Sequence, residues 1–161
     1  MNRISSLVTI LIVSALTGCA ATQTVSQFKA EEPATICIAE HEAVSRDGFQ
    51  EALVEAFESH GANTIIIRAI YEERDKMWYP QIYPDETVGC NAIAFYVANW
   101  AWDLATYMYF ANIWVMDVGM TTKIAQATYQ TGGSPGKFIN ARKKVFELVD
   151  EMYREYEASK Q

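Results

Sequence analysis

The amino-acid sequence predicts an α+β fold, a two-layer sandwich in which one mixed sheet of about five strands carries two helices on one face. Three patterns predict it: a strand–helix–strand unit, then three strands with alternating side chains, and finally an amphipathic helix. The predicted element order is β-α-β-β-β-β-α. Because two helices cover only one face of such a sheet, the other face is left for solvent, a loop or a partner.

The first unit is a strand, a helix and a second strand. Residues 34–39 alternate in the manner of a strand, and the isoleucines within residues 63–70 favour a buried strand. Between them, Asp47 and Gln50 have the spacing of a capping box, and Gly61 suits the end of a helix. Apolar residues recur there at helical spacing: Phe49, Ala52, Leu53, Ala56, Phe57 and His60. This order predicts a βαβ crossover with parallel strands.

The second half of the domain predicts a three-stranded meander and a closing helix. Residues 90–100 and 106–117 alternate with period two, and residues 121–129 are predicted to be the returning strand of a hairpin. The middle segment is apolar on both faces, which is typical of a strand that is central or covered on both sides. Ser134 and Pro135 predict the start of the last helix, with Ser as the cap. The apolar stripe of that helix is Phe138, Ala141, Val145, Leu148, Val149, Met152 and Tyr156.

Residues 71–89 have no regular period and predict a long loop. Its first part is charged, whereas its second part is aromatic, which is unusual for a purely solvated connection. Connections of this length are usually functional or mobile. We therefore expect Trp78, Tyr79 and Tyr83 to contact a partner or a ligand.

The N-terminal residues have the layout of a bacterial lipoprotein leader. Arg3 precedes a run of mainly apolar residues that is too short to span a bilayer, which needs about 20 residues. Leu16-Thr17-Gly18-Cys19 then has the form of a lipobox, in which the cysteine receives lipid. An ordinary signal peptide that happens to carry a cysteine is the weaker alternative.

This leader predicts the domain boundaries and the location. Residues 1–18 are a signal peptide, residues 19–33 are lipidated Cys19 and a flexible tether, and residues 34–161 are a single globular domain. Two or more acyl chains would hold Cys19 firmly in a membrane. An Asp directly after the lipidated cysteine would resemble an inner-membrane retention signal. This position is Ala20, so we expect the protein to be sorted to the outer membrane. The domain then lies in the periplasm, on the inner leaflet rather than at the cell surface.

Charge and cysteine content narrow the possible partners. The chain has a net charge of −7, and loss of Arg3 with the leader makes the mature chain more acidic still, which disfavours nucleic acid as a partner.

Cysteines in an oxidising compartment tend to pair, so Cys37 and Cys90 predict a disulfide that stabilises by roughly 4 kcal/mol in the chain-entropy model. Two buried free thiols are the alternative.

The sequence gives no catalytic, metal or cofactor signature. Residues 131–138 are similar to a phosphate-binding loop, but Thr131 replaces its first glycine and Phe138 its magnesium-binding hydroxyl residue. His41 and His60 lack a neighbouring histidine at helical spacing, which makes a metal site improbable. We therefore expect a non-enzymatic protein without a cofactor.

Trp100, Trp102 and Asp103 lie at the predicted turn between two strands. Two tryptophans at this spacing could clamp a flat ligand or hold a partner, with Asp103 accepting hydrogen bonds. The structural alternative, which we favour, is that they plug one end of the sandwich while Asp103 caps the turn.

The same region resembles the signature of a family of small, uncharacterised Gram-negative lipoproteins. The resemblance lies in Asn99-Trp100-Ala101-Trp102-Asp103-Leu104-Ala105-Thr106-Tyr107-Met108, Cys37-Ile38, Gly48-Phe49-Gln50-Glu51-Ala52-Leu53 and Gly136-Lys137-Phe138-Ile139. It covers most of residues 35–150 and implies a compact periplasmic domain on a lipid anchor, with no implied activity. Residues 71–89 are longer than the family plan, so a role for them would be particular to this chain.

These observations favour an accessory lipoprotein that presents a surface to an envelope protein partner. The predicted contacts are the aromatic loop and the sheet face without helices, because large exposed apolar patches usually mark such surfaces. The alternative is a small-ligand-binding lipoprotein with a pocket near Trp100 and Trp102. A concave pocket would favour the second hypothesis, and a flat patch the first.

Overall fold

A computed structural model describes residues 21–29, 33–44, 48–75, 77–132 and 137–159, with side chains described as far as Arg154. Several predicted features lie outside these residues: the signal peptide, Cys19, Asp47 of the capping box, and the helix start at Ser134 and Pro135. Among the helices that the structure describes, none is both long and apolar enough to cross a bilayer.

Seven strands and two helices make up the described fold. The strands are β1 (Thr22–Ser26), β2 (Thr35–Glu40), β3 (Asn63–Arg74), β4 (Met77–Ile82), β5 (Ala92–Asp103), β6 (Ala105–Asp117) and β7 (Lys123–Gln130). The helices are α1 (Phe49–Ser59) and α2 (Ala141–Ser159), and short 3-10 turns lie at Glu42–Val44 and Pro84–Thr87.

All strands belong to one mixed sheet in the order β1-β7-β6-β5-β2-β3-β4, which curls into a half-barrel. Strand β2 pairs parallel with β3 and with β5, and the other pairs are antiparallel. The predicted α+β class and mixed sheet are therefore confirmed, and so is the parallel pairing across α1. The predicted sheet of about five strands is roughly compatible with this one, which has two additional strands.

Both additional strands lie at the edges of the sheet, where local sequence is a weak guide. Strand β1 lies within residues 19–33, so the predicted flexible tether is wrong for Thr22–Ser26, which pair along their whole length with β7. The segment is polar and carries little strand signal of its own. Its backbone hydrogen bonds to β7 decide its conformation.

Strand β4 corrects the prediction for residues 71–89. Strand β3 extends to Arg74, Asp75 adopts a left-handed conformation (φ 51°), and β4 returns antiparallel. The predicted loop is therefore a hairpin followed by a 3-10 turn. Pro80 is compatible with β4 because this strand lies at the edge of the sheet. Proline has no backbone N–H to donate, and a central strand would need that donor for its ladder of hydrogen bonds.

The helices pack on one face of the sheet and form the main core with it. Strand β5 contributes alanines at 92, 94 and 98, whose small side chains leave room for the helices, and Tyr96 fills the space between them. Phe28, which follows β1, is buried against Tyr153 of α2, and its backbone N–H donates to Met152.

The starts of both helices differ from the predictions. Gly48 precedes α1 in a left-handed conformation without a side-chain cap, and Gln50 accepts a hydrogen bond from the hydroxyl of Tyr96 (2.7 Å). Helix α2 begins at Ala141, where the side chain of Asn140 accepts from the backbone N–H of Lys143 (3.0 Å). An asparagine side chain is a favourable cap because it satisfies a free donor of the first turn.

A second, smaller core lies on the sheet face opposite the helices. Its buried members are Cys37, Ala39, Ile67, Ile93 and Phe95. The predicted disulfide between Cys37 and Cys90 is present, with Cα atoms 5.6 Å apart. The disulfide links Cys37 in β2 to Cys90, which lies two residues before β5. It therefore connects two neighbouring central strands covalently.

Candidate functional site

A concave surface with an aromatic lining lies on the face of the sheet that the helices leave uncovered. Because the sheet curls, β4 lies across from β6 and β7, and a groove of about 440 Å³ separates them. The residues that line it are Met77, Trp78, Pro80, Val97, Phe110, Asn112, Trp114, Met116, Lys123 and Gln126. This volume is within the range of small-molecule sites, roughly 300–1,000 Å³.

Strand register brings the groove residues together. In β6, Phe110, Asn112, Trp114 and Met116 alternate onto this face, and the ring of Trp114 stacks on Phe95 with centroids 5.5 Å apart. Phe95 is fully buried, so it holds the indole of Trp114 against the sheet. One wall of the groove is therefore a fixed aromatic surface.

A hydrogen-bonded row of polar side chains forms the floor. The Oδ1 of Asn112 accepts from Nε2 of Gln126 (2.7 Å) and from Oγ1 of Thr128 (2.9 Å). The ammonium of Lys123 donates to Oε1 of Gln126 (2.6 Å). These bonds fix the orientation of both amides before any ligand arrives.

Trp78 separates this groove from a second hollow of about 400 Å³ around His41. His41 is only 4% exposed, its ring stacks on Tyr71 at 3.8 Å, and Trp78 meets it edge-on at 4.9 Å. The hollow is lined by His41, Glu42, Ala43, Ala69, Ile70, Tyr71 and Trp78. Trp78 therefore contributes to both cavities.

The hydrogen bonds of His41 define its tautomer. Its Nδ1 lies 3.1 Å from the backbone carbonyl oxygen of Tyr96, which can only accept, so Nδ1 carries the proton. The other nitrogen, Nε2, is buried and has no hydrogen-bond partner among the described residues. The backbone N–H of His41 donates to the Tyr96 hydroxyl (3.1 Å).

Burial keeps this aromatic cluster uncharged near neutral pH. Desolvation lowers the pKa of His41 below its usual value and outweighs the opposing effect of the hydrogen bond to Tyr96. Burial also raises the pKa of Tyr96 to about 12 and that of Tyr71 further. All three side chains are therefore uncharged at pH 7.

The contact residues predicted in 71–89 do not share one surface. Trp78 faces the groove, whereas Tyr79 pairs with Glu72 on the other face of the hairpin and lies under the guanidinium of Arg74 (5.8 Å). Tyr83 is exposed just before the 3-10 turn. Only Trp78 lies in the cavity system.

The structure also separates Trp100, Trp102 and Asp103. Trp100 packs edge-on against Phe49 at the margin of the main core, whereas Trp102 is 76% exposed. Asp103 forms an ion pair with Lys137. A hollow of about 250 Å³ next to Trp100 is lined by Trp100, Thr106, Tyr107, Met108, Ile139, Asn140, Ala141 and Arg142, so the two tryptophans form no joint clamp.

The turn between these strands is also tighter than predicted. Strand β5 continues through Trp102 to Asp103, which pairs with Ala105, and Leu104 alone turns the chain with a φ of 61°. The pairing register shifts between Asn99 and Trp100, which marks a bulge.

Apart from Trp78, the residues that line the groove were not singled out by sequence reasoning. Asn112 and Trp114 belong to a strand that was predicted to be covered on both sides, and Gln126 and Lys123 belong to its neighbour. The available signal was an amide within the aromatic face of β6. An amide in such a position needs hydrogen-bond partners if it is buried.

Neither the possible metal ligands nor the hollow along α2 gives a site comparable to the groove in the described part of the chain. Among the residues that the structure describes, no group of three or more His, Cys, Asp or Glu side chains is arranged to hold a metal ion. A larger hollow of about 650 Å³ lies along α2 among charged side chains, and His60 at its margin pairs with Asp150 (2.8 Å). That hollow is a mainly charged helix surface, with Phe146 as the single phenylalanine in its lining.

Comparisons with known proteins found similarity in fold but not in sequence. No protein-family profile matches the chain, and no curated protein matches it significantly. The PelC dodecamer from Paraburkholderia phytofirmans is similar in structure, with a TM-score of 0.53, 9% identity, and coverage of 83% of this chain and 94% of that chain. A single-substitution variant of that dodecamer, solved in another crystal form, is similar to the same degree, with a TM-score of 0.53 and 8% identity.

A PDZ domain protein from Parabacteroides distasonis has a TM-score of only 0.35, with 9% identity and coverage of 94% of this chain and 40% of that chain. This value is too low to relate the two folds. The similarity to PelC shows a shared fold.

We predict that His41 makes the protein less stable in mild acid. Its pKa is lower in the folded than in the unfolded chain, so the unfolded chain takes up a proton first as pH falls below about 6.5. The free energy of unfolding then falls by at most about 1.4 kcal/mol per pH unit, until the folded pKa is reached. Urea unfolding at pH 7.5 and pH 5.5 measures this loss.

The matched variant is His41→Phe, which keeps an aromatic ring but cannot take up a proton. It should show a smaller loss of stability between the two pH values, whatever its stability at pH 7.5. An equal loss in the variant and the natural protein would contradict the assignment.

Proposed function

We propose that this chain is a membrane-anchored, non-enzymatic lipoprotein of the bacterial envelope that binds a small ligand in the groove between β4 and β6–β7. The observation that supports ligand binding is the concave shape of this groove, with its aromatic wall and prearranged amide floor. Small-molecule sites typically combine an apolar lining with a few placed polar groups.

A concave groove favours a ligand over a flat protein partner. Trp78 and Trp114 offer aromatic surfaces from opposite sides, and Asn112 and Gln126 offer amides between them. Most of these groups lie on paired strands, whose backbones are held by ladder hydrogen bonds. This arrangement replaces the pocket that we expected near Trp100 and Trp102.

The proposed lipid anchor rests on the lipobox that ends at Cys19. Strand β1 begins at Thr22, so two residues lie between the proposed lipid site and the sheet, which is three residue-to-residue steps. At about 3.5 Å per residue, this connection reaches roughly 10 Å. The lipid would hold the β1 edge of the domain close to the membrane surface, on the periplasmic side of the outer membrane in our proposal.

We predict that the mature protein carries lipid on Cys19. Intact mass spectrometry of protein extracted from bacterial membranes should show cleavage before Cys19 and a mass addition equal to two or three acyl chains with glycerol. Cys19→Ser should remove that addition and release the domain from the membrane fraction. An unmodified Cys19 on an otherwise processed chain would contradict the anchor.

We predict that the groove binds the flat neutral probe naphthylacetamide. Calorimetry on the full chain in mild detergent measures the affinity, with detergent alone subtracted. Trp114→Ala should weaken binding by about 2 kcal/mol, roughly thirtyfold, because the ring loses a stacking partner and buried apolar contact. Trp78→Ala should also weaken binding, and it leaves the stacking of Trp114 on Phe95 unchanged.

The matched control is Trp102→Ala, which removes an exposed tryptophan outside the groove. Its affinity should equal that of the natural protein. If both groove variants bind the probe as well as this control does, the groove is not the binding site.

A second candidate function is self-assembly, and an exposed apolar patch favours it. Ile66 and Ile70 of β3 and Tyr79 of β4 lie on the helix-side face of the hairpin, and their exposed fractions are 52%, 46% and 42%. The solved PelC of the same fold is described as a dodecamer. Exposed patches of this kind often mark protein contacts.

If self-assembly is correct, light scattering of the natural protein should give a multiple of the monomer mass. Ile66→Glu should shift that mass towards the monomer, because a carboxylate in an apolar contact is costly to desolvate. Leu104→Glu is the control, since Leu104 is exposed at the β5–β6 turn, away from the patch. A monomeric mass for the natural protein at all concentrations would exclude this candidate.

A further inference from the structure

We propose that the groove selects organic oxyanions, that is, ligands with a flat apolar body and a carboxylate, sulfonate or phosphate group. This inference rests on the proposed function, since it names the ligand class of the same groove. It follows from the hydrogen-bonding capacity that the floor leaves unused, from the charge of Lys123 and from the aromatic walls.

The floor presents donors and few acceptors. The Oδ1 of Asn112 already accepts two hydrogen bonds, from Gln126 and Thr128, which uses both of its lone pairs. Its Nδ2 group donates to no partner among the described residues, so two N–H bonds remain available for a ligand. The Oε1 of Gln126 is partly used by Lys123. A ligand therefore satisfies this floor best with oxygen acceptors.

Lys123 adds a positive charge that no carboxylate neutralises within the described part of the chain. Its ammonium donates to the neutral amide of Gln126 and has two further N–H bonds. Asp117 is close in sequence, but its carboxylate accepts from Thr121 and Thr122 in the β6–β7 turn (2.6–2.9 Å). Lys123 thus differs from Lys137 and Lys144, which form ion pairs with Asp103 and Glu147.

The lining of the groove carries a positive charge, although the chain as a whole is acidic. The chain has 20 acidic and 13 basic side chains, yet the groove is lined by one lysine and no carboxylate. A negative ligand that enters it meets no like charge in the lining. Hydrogen bonds between a cation and an oxyanion are about twice as strong as those between neutral groups.

The walls determine the rest of the ligand. Trp78 and Trp114 present ring surfaces, and Phe110, Met77 and Met116 extend the apolar lining. Aromatic rings favour stacked or edge-on contact with flat partners, and methionines adapt to irregular shapes. An apolar body would therefore lie between β4 and β6, with its anionic group directed to Asn112 and Lys123.

Naphthylacetate and naphthylacetamide test this inference because they have the same shape and differ in charge. Calorimetry on the full chain in mild detergent, at low ionic strength, should give at least tenfold tighter binding of naphthylacetate. Added salt should reduce that preference, since the ion pair is partly solvated. Lys123→Gln should abolish the preference, so that the two probes bind with equal affinity.

The control variant is Lys143→Gln, which removes the same charge from the exposed surface of α2. It should retain the preference for naphthylacetate. Equal binding of the two probes, or a preference that survives in Lys123→Gln, would overturn the anion inference while the groove remains a binding site. Failure of both probes to bind, or binding that Trp114→Ala leaves unchanged, would overturn the proposed function as well.

Discussion

The constraint on which this structure depends is the unequal coverage of its sheet. Helices α1 and α2 pack on one face of the seven-stranded sheet, and the opposite face is also apolar along β2, β5 and β6. Apolar surface of this extent is costly to leave in water. The sheet reduces the exposure by curling, so that the β3–β4 hairpin covers part of its own second face. The groove is the part of that face that the hairpin does not fill.

Tyr96 connects the two faces of the sheet. Its ring lies in the core beneath the helices, and its hydroxyl accepts from the backbone of His41 and donates to Gln50 of α1. Its carbonyl oxygen holds the imidazole of His41, which in turn contacts Trp78 of the hairpin. Polar groups in such a buried series must all be satisfied, or the unsatisfied ones cost stability. The hairpin position is therefore coupled to the helix layer through named contacts.

Much of the central fold could be predicted from local sequence. The apolar periods of β2, α1, β5, β6 and β7 are strong because these elements are buried on at least one face, and periodic burial is what such patterns report. The prediction of a buried strand from the isoleucines of β3 is wrong, since Ile67 is buried but Ile65 and Ile66 are exposed. The edge strands β1 and β4 were not predicted, because neither has a strong apolar period. Thr22–Ser26 is polar, and Met77–Ile82 contains a proline and follows a charged run, so their pairing comes from neighbours distant in sequence. Among the predicted contact residues, only Trp78 lies in the groove.

By itself, the sequence determined the α+β class, the mixed sheet and the pairing of Cys37 with Cys90, because periodicity and cysteine number are properties of the chain. Only the tertiary structure decided which aromatic and amide side chains meet. Trp78 and Trp114 are 36 positions apart and approach each other because the sheet curls. Curl depends on the summed twist of seven strands and on which face remains uncovered. No local stretch of sequence encodes that sum.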